Sequence, residues 1–205
     1  MGGGDESSGI GKDVSQDLAT LGLQPQKKRY RYREGDPNKR TAFTQEIAKL
    51  SPETCVYVDE AGAENTLDYP YAYSPKGQPV VAERLGHATE RVSMIAAWCV
   101  GKVFAPLTFT GHCDSRVIET WFAKVLVPEL RPGQTVILDN ASFHRKAKLK
   151  ALLEPHGCRL LALPPYSPDL NKIESLWHRL KSHVRHNHDP YLSFHQKVDA
   201  AFCSF

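Results

Sequence analysis

Asp59 and Asp139 each end a run of core-type residues, Thr54-Cys-Val-Tyr-Val-Asp59 and Thr135-Val-Ile-Leu-Asp139. A charged group that finishes an apolar strand is costly to bury unless it is paired, bound to metal or lifted to the sheet edge. One such aspartate reads most simply as the first residue of a loop. Two of them would lie side by side if their strands are neighbours, at the crevice where open α/β sheets bind ligands. Glu174 is the third acid of interest, and two readings stay open for it. Asn171-Lys-Ile-Glu174 matches a capping box, in which the glutamate serves only its own helix. Glu174 also lies beside the apolar stripe Ile173, Leu176, Trp177, Leu180 and Val184, from which it could reach inward to a sheet. Three carboxylates converging without countercharge would repel and hold protons near neutral pH. Hard divalent cations remove that cost, and oxygen ligands suit Mg²⁺ or Mn²⁺. No serine sits in a nucleophile-elbow pattern, and metal-assisted chemistry needs none.

The elements that must position these acids follow an α/β order. Residues 13–23 could form one short helix ending near Gly22, residues 24–40 read as a Pro- and Gly-punctuated linker, and a helix is expected from Thr41 to Leu50, before Pro52. Strands are expected at Thr54–Glu60, Pro79–Leu85 and Val92–Val100, with Lys102–Phe109 a hairpin partner across Gly101. Ser115–Leu130 reads as a helix capped by Asp114. A buried strand Thr135–Asp139, a basic helix Ala141–Glu154, a strand Cys158–Leu163, a stiff Pro164-Pro-Tyr-Ser-Pro-Asp169 loop and a helix from about Asn171 to Arg185 complete the pattern. Several antiparallel strands followed by helix, strand, helix, strand, helix make a mixed sheet with helices covering it.

The 205 residues suit one domain with appendages, and no stretch approaches the roughly 20 apolar residues of a membrane helix. The start lacks the features of a signal peptide, so a cytoplasmic location is expected. Five cysteines, odd in number and without a CxxC pair, fit reduced thiols. The net charge of +3 is too small to name a partner, but Lys27, Lys28, Arg29, Arg31 and Arg33 alternate in part with Tyr30 and Tyr32. An extended chain of that kind puts cations on one side, where phosphates could be met, although a solvated surface is the plainer reading. His183 and His186 have helical spacing, but no cysteine pair joins them and His188 or His195 as a zinc site. Trp98, Trp121 and Trp177 fall at apolar positions and are expected in the core. Glu60, Asp68 and Asp169 lie near the motifs without an expected part in them.

The strings Val56-Tyr-Val-Asp-Glu-Ala-Gly62, Val136-Ile-Leu-Asp-Asn-Ala-Ser-Phe-His144 and Leu163-Pro-Pro-Tyr-Ser-Pro-Asp-Leu-Asn-Lys-Ile-Glu-Ser-Leu-Trp177 resemble the mariner-like superfamily of transposases, in its bacterial insertion-sequence branch. That family commonly has 34 residues between its second and third acids, and residues 140–173 are the 34 between Asp139 and Glu174. Lys172 departs from the proline that many relatives carry there. The resemblance implies a ribonuclease-H-like α/β fold, with antiparallel first strands, then parallel strands, flanked by helices. It implies Asp59, Asp139 and Glu174 as catalytic ligands of Mg²⁺ or Mn²⁺, two ions being expected, with Asn140 and His144 standing behind them. His144 reads equally well as a surface residue opening a basic helix. The implied partner is double-stranded DNA, as transposon ends and target, bound by a homodimer in a bacterial, nucleoid-associated setting. Residues 1–26 would then hold the remnant of a helix-turn-helix domain, 27–50 a basic linker and short helix, and 51–205 the catalytic domain with its C-terminal helix. A DNA-binding remnant without catalysis and another ribonuclease-H-like nuclease are the alternatives.

Overall fold

Strand β1 (Cys55–Glu64) carries the alternation that organises the domain. Val56 and Val58 point to one face of the sheet, and Cys55 and Tyr57 to the other. The computed structural model describes residues 33–66, 73–81, 86–87 and 90–205. Within them β2 (Arg91–Cys99), β3 (Lys102–Thr110), β4 (Thr135–Leu138) and β5 (Arg159–Ala162) join β1 in one sheet of order β3-β2-β1-β4-β5. The first three strands are antiparallel neighbours, whereas β4 runs parallel to both β1 and β5.

Both faces are covered. On one, α2 (Ser115–Trp121) and α3 (Lys146–Leu153) pack Ile118, Trp121, Leu149 and Leu153 against Val56, Val58, Val136 and Leu138. On the other, α1 (Pro37–Ile47), α4 (Glu174–His186) and α5 (Phe194–Phe202) bring Phe43, Trp177, Leu180, Val184 and Val198 onto Tyr57, Met94 and Ile137. This is the mixed, helix-flanked sheet that the order of elements predicts, in the ribonuclease-H-like form that the resemblance implies.

Several boundaries differ from the sequence expectation, each for a local reason. α1 begins at Pro37, inside the stretch read as linker, because Asp36 accepts the Asn38 and Lys39 amides and proline suits the first helical position. β1 runs past Asp59 to Glu64, since the small residues Ala61, Gly62 and Ala63 still pair with Met94, Ser93 and Val92. No strand forms at residues 79–81, where Val80 and Val81 are exposed, and residues 82–85 lie outside the described residues. The long helix expected from Ser115 becomes α2, a π-turn (Phe122–Leu126) and a 3₁₀ turn (Val127–Glu129). Pro128 cannot donate to the ladder, so the α pattern does not continue through it. Residues 141–145 form a turn rather than the start of α3. The expected helix at 13–23, and Lys27, Lys28, Arg29 and Arg31, lie outside the described residues; Arg33 is exposed in a turn.

A bulge shapes the outer hairpin. Pairing shifts between Ile95 and Ala97, so Ala105 and Pro106 of β3 together oppose Ala96. A bulge is one of the few places a strand tolerates a proline. The carbonyl of Ala105 is taken up by the buried indole of Trp121 at 2.9 Å.

Candidate active site

The parallel register of β1 with β4 is what brings the two aspartates together. Cys55, Val56 and Tyr57 pair with Thr135, Val136 and Ile137, so two residues further on Asp59 is level with Asp139. Neighbouring strands are about 4.8 Å apart. Asp59 continues the Cys55/Tyr57 side of the alternation, facing α4, while Glu60 continues the Val56/Val58 side. Glu174 enters as the first residue of α4. All three acids, with Asn140 and the 164–168 loop, line one cavity of about 500 Å³.

No capping box exists at the start of α4. The helix has no side-chain cap, and the Glu174 amide bonds the Asn171 carbonyl. The Asn171 side chain points elsewhere, donating through Nδ2 to Asp59 Oδ2 at 3.2 Å. The indole N–H of Trp177 donates to the same oxygen at 3.1 Å, and Asp59 Oδ1 accepts the backbone amide of Glu60 at 2.9 Å. Trp177 is therefore a core residue, as expected, and also a partner of Asp59.

Asp139 is held differently. Its Oδ1 accepts the Ala141 amide at 3.1 Å and lies 2.9 Å from His144 Nδ1, an ion-pair contact rather than an aligned hydrogen bond. The other ring nitrogen of His144 is 2.8 Å from Glu60 Oε1. The turn at 141–145 thus serves to bury His144 between two carboxylates, and the surface reading of this residue does not hold. Glu60, which had no expected part in the site, belongs to this arrangement. Strand alternation offered a signal: if Asp59 faces α4, then Glu60 must face the side from which His144 comes.

The electrostatics separate the acids into two kinds. Burial, followed by the charges of Glu60 and Glu174, pushes the Asp59 carboxyl up to about 7, although the Trp177 and Glu60 N–H groups pull the other way. Burial also raises Glu174, with Lys181 a weaker opposing charge. For Asp139 burial acts upward, but His144 and the Ala141 amide outweigh it and hold the group below its ordinary value. His144 itself is lowered by burial and raised more strongly by Asp139 and Glu60, ending at about 9. At neutral pH His144 is a cation that compensates Asp139 and Glu60. Asp59 has no such cation and Glu174 only the weaker charge of Lys181, so burial holds both acids above their ordinary values, and at Asp59 the charges of Glu60 and Glu174 add to it.

That imbalance is the test of whether a metal suits the site. The donors facing the cavity are carboxylate oxygens, the ligand type of hard divalent cations, and the mutual repulsion at Asp59 is what a cation would relieve. The tightest group of metal-capable side chains among the described residues is instead Glu60, Asp139 and His144, with ligand atoms within 4.8 Å. Ion pairing accounts for that cluster, because both nitrogens of His144 already face carboxylates. With both ring nitrogens so engaged, His144 makes a poor ligand, and the three acids that line the cavity fit better.

The remaining candidates sort plainly. Asp169 forms a forked ion pair with Arg40 at 2.9 and 2.6 Å, which pins the proline loop to α1 and keeps this acid out of the cavity. Asp68 lies outside the described residues. His183 meets Ser204, His186 the Ser182 carbonyl and His195 Thr108. All five cysteines are free thiols, Cys55 and Cys158 buried.

A sheet of order 3-2-1-4-5, with acids supplied by the first strand, the end of the fourth and the helix after the fifth, defines a ribonuclease-H-like domain with a carboxylate site. Residues 54–194 match the family model of the DDE superfamily endonucleases, and the chain belongs to that family. Among solved structures, the Mos1 mariner paired-end complex with Mn is similar at a TM-score of 0.67 and 17% identity, over 94% of this chain and 63% of that one. The Mos1 transposase catalytic domain bound to raltegravir and Mn gives a TM-score of 0.57 at 16% identity, covering 88% and 86%. A protein of Sinorhizobium fredii (strain NBRC 101917 / NGR234), described as the uncharacterized protein y4pE/y4sA, is 32% identical over 74 residues, which is 32% of this chain and 47% of that protein. The chain spans less than two thirds of the length of the full Mos1 chain and of this relative. At these identities the solved structures establish the fold.

Proposed function

We propose that this domain cuts and joins DNA strands during transposition, using divalent metal ions held by Asp59, Asp139 and Glu174. One observation carries the reading: three acids from β1, the end of β4 and the start of α4 line a single cleft, two of them held above their ordinary values by burial. Structures of Mos1 transposase with transposon-end DNA, and with Mg or Mn, support it through the shared fold. Two Mg²⁺ or Mn²⁺ ions bound there would activate the attacking oxygen and stabilise the leaving one. The attacking group is water when a strand is cut and a 3′-hydroxyl when strands are joined. The chain's own part is to keep Asp139 ionised beside His144 and to hold Asp59 ready to bind, with Asn140 at the cavity wall. Duplex DNA is the substrate, and a homodimer assembled on it would bring two ends together. None of the helices among the described residues is long and apolar enough to cross a membrane.

The test is cleavage of duplex DNA by the full chain with Mg²⁺ or Mn²⁺ and with chelator. Nicking that needs the metal, accompanied by a rise in melting temperature when Mn²⁺ is added, is the expected result. Cutting that persists in chelator would overturn the metal assignment.

The basic arm adds a separate expectation. We assign residues 27–50 as a basic linker and a short helix, the latter being α1, between a front segment, residues 1–26, and the catalytic domain of 51–205. Lys27, Lys28, Arg29, Arg31 and Arg33 meet phosphates rather than bases, because a close run of long cationic side chains offers charge to phosphates, and such contacts carry no sequence information. Each phosphate contact contributes about 0.9 to the slope of log K against log salt. Replacing all five residues with Gln should therefore flatten the slope and weaken every duplex alike. A loss confined to transposon-end sequences would show instead that the arm reads bases.

A further inference from the structure

Asn171 and Trp177 flank Glu174 by three residues on either side, yet both side chains donate to one oxygen of Asp59. We propose that they are positioning residues: the segment that carries the third acid also grips the first, so Asp59 and Glu174 are set to one separation before any metal arrives. This rests on the functional reading above and deepens it.

The grip is rigid at both ends. The indole of Trp177 is buried and packs edge-on against Phe202 of α5, with ring centroids 6.3 Å apart. Asn171 follows a 3₁₀ turn (Pro168–Leu170), its amide bonds the Pro168 carbonyl at 2.9 Å, and the Arg40–Asp169 fork anchors that turn to α1. Neither side chain has much freedom to follow Asp59, so Asp59 must follow them.

The cost of Asn171 argues that its role is not mere packing. It is 5% exposed, and its Oδ1 is buried without a hydrogen-bond partner among the described residues. A buried acceptor left unpaired costs about 1–3 kcal/mol. An apolar residue of similar volume would avoid that cost, so folding alone does not explain an amide here. Its Nδ2 bond to Asp59 does. A carboxylate offers about four acceptor positions. Three are taken by Asn171, Trp177 and the Glu60 amide, and what remains is on Oδ1. The donors therefore select the oxygen through which Asp59 can meet a cation, as well as its place.

Trp177→Phe and Asn171→Ala separate this idea from simple stability. Outer partners of metal ligands typically change affinity about 10–100-fold. Each variant should bind Mn²⁺ at least about 10-fold more weakly by calorimetry, at that lower limit. In cleavage assays the loss should appear in the half-saturating Mn²⁺ concentration rather than in the rate at saturation. Trp121→Phe is the control, since it also deletes a buried indole hydrogen bond, but one made to Ala105 outside the site. It should lower the melting temperature and leave Mn²⁺ affinity unchanged. Wild-type affinity in both Trp177→Phe and Asn171→Ala would overturn the positioning role alone. Wild-type protein that binds no Mn²⁺ would overturn the functional reading and this inference with it.

Discussion

Asp139→Asn should abolish metal-dependent DNA cleavage while leaving a folded protein whose stability depends less on pH. Losing an outer partner of a metal ligand already costs about 10–100-fold, so removing the charge of a ligand itself should cost at least about 10³-fold. The second effect comes from His144. Its folded-state value is raised to about 9 from an ordinary 6.5, so its ion pairs stabilise the fold fully below pH 6.5 and progressively less as pH rises through 9. Asp139 supplies part of that effect and Glu60 the rest. With a discount for the partly exposed Asp139 carboxylate, the variant should lose about 1 kcal/mol at pH 6. In a domain of this size that is roughly 2–4 °C in melting temperature. The gap between wild type and variant should narrow above pH 9. Near-wild-type cutting by the folded variant would remove Asp139 from the chemistry. A stability gap that widens with pH would mean that His144 is not held as a cation.

What the sequence made legible was whatever local patterning controls. Two aspartates that follow apolar strand runs were readable because strand periodicity is strict, and their adjacency followed once β1 and β4 paired in parallel. The partners of those aspartates were not readable, because they come from afar. Glu60 and His144 are 84 residues apart, Asp59 and Asn171 are 112 apart, and Asp59 and Trp177 are 118 apart. Asn171 shows how a local signal can mislead. Asn-x-x-Glu is a sound capping pattern, but the amide donates to Asp59 instead, and the helix starts without it. The start of α1 differs for another reason. Asp36-Pro37 is itself a helix-start signal, but its surroundings are basic and punctuated by proline and glycine, as a linker's are.

Asp59→Asn should make the metal-free protein more stable and the metal-loaded protein less so. An acid whose folded-state value is raised from 3.8 to about 7 is tolerated at low pH, where it is protonated in both states. From pH 4 upward the unfolded chain releases the proton more readily, so the group increasingly opposes folding until the cost is complete above pH 7. For an isolated group, a rise of that size would correspond to about 4 kcal/mol. Coupling to Glu60 and Glu174 spreads that figure over the cluster. An asparagine must also turn its NH₂ toward the Glu60 amide if its oxygen is to keep the Asn171 and Trp177 bonds. The net gain expected at pH 8 is therefore about 1–2 kcal/mol, a rise of several degrees in melting temperature that vanishes near pH 4. Millimolar Mn²⁺ should reverse the order, because ligand binding stabilises only the form that retains the site. Wild type would then melt above Asp59→Asn, and only wild type would cut DNA. A variant less stable than wild type at pH 8 without metal would show that Asp59 is a structural anchor. A variant that gains as much from Mn²⁺ as wild type would show that the metal is held elsewhere.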